Sequence, residues 1–228
     1  MAEIVFSETV SYEIDGRTGS GYLALPDGRG PGVVLIQEWW GLVPHIKDVA
    51  QRLAREGFVT LAPDLYGGKT TTEPSEASKL MMALQIQSAA RDMETAYDYL
   101  RSHESVDPPK IGSIGFCMGG ALSLYLATLR PLDACVVYYG IPYRGEPDYS
   151  QIVCPVLGHF AEFDQWASED AALALKSKLD ALGKRVEFYF YPRTRHAFFN
   201  DSNEDSYDPE AAQLSWQRTL EFLRKNLL

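Results

Sequence analysis

Three features of the sequence predict an α/β fold, with a mostly parallel, doubly wound sheet flanked by helices on both faces. Short continuous apolar runs such as Gly32-Val-Val-Leu-Ile-Gln37 recur along the chain, as buried parallel strands do. Stretches of helical period separate these runs. The segment Lys110 to Ala127 passes from an apolar strand through a glycine-rich turn straight into an apolar helix. No low-complexity linker or internal repeat interrupts the pattern, so the 228 residues read as one domain, residues 1–228, long enough for a full core.

Taken in order, residues 3–14 and 20–26 read as two strands joined at Asp15-Gly16, an antiparallel edge. Strand 32–37 follows. A helix runs from His45 to Glu56, with Val49 and Leu53 inward and Gly57 closing it. Phe58 to Ala62 is the next buried strand, ended by Pro63-Asp64-Leu65-Tyr66-Gly67-Gly68. Pro74, at a first-turn position, opens one long helix to about Ser102. The strand Ile111–Phe116 leads to a turn at Cys117 and a helix from about Met118. Its Ala121–Leu129 portion is apolar on nearly all sides, as in a central buried helix, and Pro131 stops it. Ala134–Tyr139 and Val156–Phe160 are strands. Ser168-Glu169-Asp170 caps a helix to Leu182 that stops at Gly183, and Val186–Tyr191 is the last strand. Asp208-Pro209-Glu210 opens the C-terminal helix to Leu227.

The net charge of −10 argues against nucleic acid and anionic membrane partners and gives no steering for anionic substrates. No apolar run is long enough for a transmembrane helix. The start, Met1 to Phe6, has neither a basic region nor an apolar signal core, so export is not expected. Three widely spaced cysteines, Cys117, Cys135 and Cys154, suit a reduced cytoplasmic setting, with Cys135 and Cys154 in or near the core. No cysteine–histidine cluster has zinc-site spacing, and neither a phosphate loop nor a dinucleotide fingerprint occurs. The expected partner is a small molecule, and the expected state a monomer or small homo-oligomer.

The chemistry centres on Gly115-x-Cys117-x-Gly119, a nucleophile elbow with sulfur in place of hydroxyl. The glycines let strand and helix pass closely, and a helix N-terminus favours thiolate. An elbow nucleophile is followed in chain order by an acid and a histidine. Of the four histidines, His45 reads as a surface first-turn residue, His103 as solvent-facing, and His159 as a satisfied core residue. His196 lies after strand 186–191 in the loop before the last helix, where open α/β sheets build sites. The acid should follow the strand ending near Phe160; Glu162 and Asp164 both do, and Asp164 is preferred. Asp164 would orient His196, His196 would move the proton, and Cys117 would attack an acyl carbon to form a thioester. Met118 and Trp39 are the expected backbone donors of the oxyanion hole. Glu38, at a strand end facing the elbow, is placed to accept the thiol proton. Trp40, Tyr66, Phe198, Phe199 and Asn200 are candidate pocket walls.

Together, Gln37-Glu38-x-x-Gly41, Ala62-Pro63-Asp64-Leu65-Tyr66, Gly115-Phe-Cys-Met-Gly-Gly120, Tyr138-Tyr139-Gly140, Asp164 and His196-x-Phe198 resemble the dienelactone hydrolase family over essentially the whole chain. The resemblance implies an α/β-hydrolase fold and a Cys117–Asp164–His196 triad. It also implies that Glu38 contacts the cysteine and that neither metal nor cofactor is needed. Members of the carboxymethylenebutenolidase type open 4-carboxymethylenebut-2-en-4-olide to maleylacetate. Dienelactone-specific members hold the substrate carboxylate with two arginines; here Asn200 and Pro74 stand at those places, and no arginine occurs between Arg55 and Arg91. Ala161 and Glu162 stand where glycines are usual. An ester or lactone hydrolase is therefore expected. A short-chain carboxylesterase or thioesterase using the same residues is the nearest alternative, and an idle redox-sensing thiol protein the alternative from another class.

Overall fold

A computed structural model describes residues 6–228. The eight strands are β1 (Phe6–Ile14), β2 (Arg17–Leu25), β3 (Gly30–Ile36), β4 (Val59–Pro63), β5 (Val106–Phe116), β6 (Ala134–Tyr138), β7 (Val156–Phe163) and β8 (Val186–Arg195). The six α-helices are α1 (Pro44–Arg55), α2 (Pro74–Ala83), α3 (Ile86–Ser102), α4 (Met118–Leu129), α5 (Glu169–Ala181) and α6 (Pro209–Leu227). The strands form one sheet in the order β1-β2-β4-β3-β5-β6-β7-β8. β1 pairs antiparallel with β2 and β2 with β4; the other pairs are parallel. The expected edge hairpin is thus present, except that residues 3–5 of its first strand lie outside the described residues.

Strand alternation divides the core. Val33, Leu35, Val136 and Tyr138 face α1 and α6; Val34, Ile36, Cys135 and Val137 face α3, α4 and α5. The sheet is covered on both faces, which is why its central strands read as unbroken apolar runs. Chain order reverses at β3: α1 leads outward to β4, and the return through α2 and α3 places β5 on the other side of β3. The crevice at the carboxyl ends of β3 and β5 is the topological switch point, where ligand sites form in such sheets.

The long helix expected from Pro74 to Ser102 is two helices. Leu84 and Gln85 are extended (ψ 120° and 118°), and Leu84 turns into the core. The carbonyls this break exposes at the end of α2 all find donors. Leu84 N–H serves Leu80, and the Gln85 side chain reaches Ala83. The Arg144 guanidinium, from the loop after β6, donates to the carbonyls of Leu84 (2.6 Å), Met82 (2.5 Å) and Met81 (3.2 Å). A remote side chain therefore decides where the helix ends, and no local breaker residue marks the place.

Arg144→Ala should remove that clamp. The expected loss is about 1.5–3 kcal/mol, the usual worth of hydrogen bonds from a charged donor. Amide hydrogen exchange should accelerate in residues 80–85 before the central strands respond. Unchanged exchange in that segment would show that α2 ends there for another reason.

Candidate active site

The turn after β5 is tightly built. Cys117 has φ 55° and ψ −119°, a conformation that L-residues with a Cβ rarely adopt. Its N–H donates to Tyr138 O (3.0 Å), and its carbonyl accepts from Gly120 N–H (3.0 Å). A Cβ on Gly115 would lie 1.8 Å from Gly119 O, and one on Gly119 would lie 2.4 Å from the carbonyl oxygens of Ile36 and Gln37. These two glycines thus let α4 start hard against β3 and β5. The register Ile36↔Gly115 sets the end of β3, and with it Glu38, beside the cysteine turn.

Five described non-glycine residues have positive φ, and three of them (Cys117, Tyr139 and Ala197) line one cavity. The strain follows the carboxyl ends of β5, β6 and β8.

On the other side stand the acid and the histidine. His196 Nδ1 lies 2.7 Å from Asp164 Oδ2, and Asp164 Oδ1 accepts from the N–H groups of Trp166 (2.7 Å) and Ala167 (2.9 Å). Burial alone would raise the Asp164 carboxyl. The hydrogen bond and charge of His196, with the two backbone donors, outweigh it and hold the carboxyl below its usual range. For His196, burial opposes the charge, but the Asp164 partner and the neighbouring Cys117 sulfur raise its affinity for a proton. Glu162, the other candidate acid, is exposed and accepts from the Arg193 N–H instead.

Glu38 is buried at the cavity wall, and Asn200 Nδ2 donates to its Oε2 at 2.7 Å. Burial pushes its carboxyl above the usual range, against the opposing effects of His45, His196, Asn200 and the Tyr139 hydroxyl. Among the described residues, Glu38 Oε1, His196 Nε2 and Tyr139 Oη are all buried without a hydrogen-bond partner. The Met118 and Trp39 N–H groups, both on the cavity wall, likewise donate to no described residue.

The cavity has a volume of about 490 Å³, and Glu38, Trp39, Trp40, Cys117, Met118 and His196 all line it. Four of the other residues singled out by sequence do not. Tyr66 lies beneath, its hydroxyl 3.3 Å from Met118 Sδ, while Phe198 and Phe199 are core residues packed on Tyr138 and Phe116. Asn200 is the buried partner of Glu38; its own carbonyl is taken by Ser202. Loop 196–200 folds back onto the core after His196, so only its first two side chains reach the cavity.

Three histidines can be compared with their expected places. His159 is a core residue satisfied by Tyr191 and Thr219. His103 is half-buried and accepts from Ser105 N–H, so it does not simply face solvent. His45 is buried, against expectation, because loop 197–208 covers the first turn of α1. Its Nδ1 lies 3.1 Å from Asp201, and its ring meets Phe116 and Phe199. Cys135 and Cys154 are buried as expected, and burial pushes the Cys135 thiol up to about 11. Cys117 alone of the three thiols is half-exposed.

Tyr139, to which residue pattern alone gives no role, has its ring centroid 5.0 Å from that of His196. Its place at a strand end before Gly140 was the available signal. It gave no warning of Met81, Met82, Tyr143 or Trp166, which also line the cavity.

The profile of the dienelactone hydrolase family matches residues 20–227. The chain belongs to that family. "Protein usf" of Aquifex pyrophilus is 36% identical, the match covering 96% of this chain and 99% of that one. A protein of Aquifex aeolicus (strain VF5) named "Putative carboxymethylenebutenolidase" is 32% identical over the same shares of the two chains. The crystal structure of the "Putative Dienelactone Hydrolase" of Klebsiella pneumoniae superposes with a TM-score of 0.88 at 28% identity, covering 97% of this chain and 99% of that chain. As a dienelactone hydrolase family member with the α/β-hydrolase fold, the protein is a hydrolase of the ester and lactone class. Among the described residues, no helix is long and apolar enough to cross a membrane.

The crowding at the elbow makes a direct test. Gly119→Ala should cost more than about 3 kcal/mol, because its methyl group meets the backbone oxygens of Ile36, the last residue of β3, and of Gln37 after it. A urea midpoint equal to that of the unsubstituted protein would show that α4 has room to move.

Proposed function

We propose that the protein hydrolyses small esters or lactones through an acyl-thioester on Cys117, with His196 and Asp164 as its proton-transfer pair and Glu38 as the group that receives the thiol proton. The observation that carries this reading is the 2.7 Å Asp164–His196 bond, with Nε2 left free at the cavity that holds Cys117.

The steps follow from the free groups. Glu38 Oε1 takes the thiol proton, and Sγ attacks the carbonyl carbon. The resulting oxyanion is met by the N–H groups of Met118 and Trp39. Collapse breaks the C–O bond, and His196, an imidazolium held by Asp164, gives its Nε2 proton to the departing oxygen. Water then attacks the thioester while His196 takes a proton from it, releasing the acid, and the departing sulfur recovers its proton from Glu38. Asp164 stays ionised throughout and holds the imidazole in orientation. A carboxylesterase or thioesterase would use the same groups. A reduced cytoplasmic setting suits the free thiol.

Cys117 should carry the acyl group when a slow ester is quenched and digested for mass spectrometry. His196→Ala and Asp164→Ala should each remove most of kcat, and the double variant little more, since groups acting as a unit are not additive. Full activity in Cys117→Ala, or a larger effect of Glu162→Ala than of Asp164→Ala, would refute the assignment.

Glu38→Gln should make the protein less active and more stable. A carboxyl whose pKa is higher folded than unfolded stabilises the fold most at low pH, and this contribution is lost as pH rises through the folded-state value. Gln keeps the acceptor for Asn200 and removes the desolvated charge. We expect kcat to fall by roughly 10²–10⁴-fold, the usual worth of a general base. The melting temperature at pH 7–8 should rise by about 2–4 °C, with the gain vanishing towards pH 4. Wild-type kcat across neutral pH would reduce Glu38 to a loop carboxylate.

A further inference from the structure

The cavity around Cys117 has an unusual wall for a site that would hold an acid. Among the described residues lining it there is no lysine and no arginine. One group of lining side chains is Trp39, Trp40 and Trp166, with ring centroids 4.9 Å apart for the first pair and 6.1 Å for Trp39–Trp166. Another is Met81, Met82 and Tyr143, held together because Arg144 clamps the end of α2 to the loop that carries Tyr143. Arg144 spends its donors on backbone carbonyls and does not line this cavity.

The apolar lining continues to the surface. Trp166 is 66% exposed and Met82 63% exposed, both at the cavity. The two side chains extend the apolar lining to the cavity mouth, where a bound ligand would cover them. The polar side chains at the cavity are Glu38, His196, Tyr139, Tyr143, Asn203 and Ser206. Of these, Glu38 repels an anion. At about 490 Å³ the cavity takes a molecule well beyond an acetyl ester in size.

We propose that the substrate is an uncharged ester or lactone bearing an aromatic or comparably bulky apolar group, seated between the tryptophan and methionine walls, and that carboxylate-bearing substrates are excluded. This rests on the reading of Cys117 as nucleophile. A carboxylate seated between those walls would lose water and meet neither lysine nor arginine, since the cationic group at the cavity, His196, is already paired with Asp164. The cost of an unpaired desolvated charge is enough for a discrimination of at least about 100-fold. A phenyl group covered by the walls should gain about 10-fold or more over a methyl group.

The test compares kcat/KM for matched 4-nitrophenyl esters. The methyl ester of mono(4-nitrophenyl) adipate should be preferred over the free monoacid by at least about 100-fold. The 3-phenylpropionate should exceed the acetate by about 10-fold or more. Met82→Arg, a change at an exposed position, should improve the monoacid relative to its methyl ester by about 10-fold. Turnover of the monoacid within about threefold of its methyl ester would overturn the proposal while leaving the Cys117 reading intact. Unchanged rates in Cys117→Ala, with the charge preference kept, would overturn the nucleophile and leave the substrate class standing. Silence towards every ester would overturn both.

Discussion

The rest of the structure depends on how closely α4 begins against the ends of β3 and β5. Gly115 and Gly119 permit that approach: a side chain on Gly115 would strike the first turn of α4, and one on Gly119 would strike the carbonyl oxygens at the end of β3. The approach fixes Cys117 at a positive φ. Such a conformation costs on the order of 1–3 kcal/mol and persists only where its surroundings over-determine it. Here they do: Cys117 is bonded to Tyr138 on β6 through its N–H and to the first turn of α4 through its carbonyl. A helix that is apolar all round, with Leu122, Leu124 and Leu126 buried, anchors the turn from behind. Most of the central helix is therefore buried, from Met118 to Leu124 without a break.

Two buried carboxyls flank that turn, and the fold treats them in opposite ways. Asp164 accepts from an imidazole and two backbone N–H groups, so its charge is matched despite burial. Glu38 receives one amide donor on one oxygen and none on the other. The first arrangement stabilises an anion permanently, and the second leaves one poised to bind a proton. When environments push neighbouring titratable groups apart in this way, they become suited to different tasks in acid–base chemistry.

What could be read from the sequence follows the range of the forces involved. The turn at Cys117, the Asp164–His196 pairing and the mostly parallel sheet with its antiparallel edge were legible because each depends on short-range steric rules or on chain order within a parallel sheet. The caps were legible too: Ser168 and Asp208 accept from the N–H groups of Ala171 and Ala211 as their positions suggest. The break at Leu84–Gln85 was not legible, because its donor, Arg144, is some sixty residues away in sequence. Nor was the burial of His45, which depends on the loop around Asp201 folding over α1. The aromatic pair Phe198–Phe199 reads equally well as pocket or core. Only the path of the loop after His196 decides it, and that path sends both rings inward.

The same long-range contact that hid the helix break also shapes the mouth of the cavity. Had α2 and α3 been continuous, Met81 and Met82 would have been interior residues of one long helix with no exposed terminus beside them. Ending α2 at Ala83 and clamping its carbonyls to Arg144 brings the methionines and Tyr143 into one wall. That wall is built from a helix end and a loop, whereas Cys117 and Glu38 are held by the closing turns of adjacent central strands. Substitutions in the wall leave the backbone at the elbow untouched, so substrate preference can change while the reacting groups keep their geometry. A fold that separates these two jobs can keep one hydrolytic centre and fit it to substrates as different as an anionic lactone and a neutral aromatic ester.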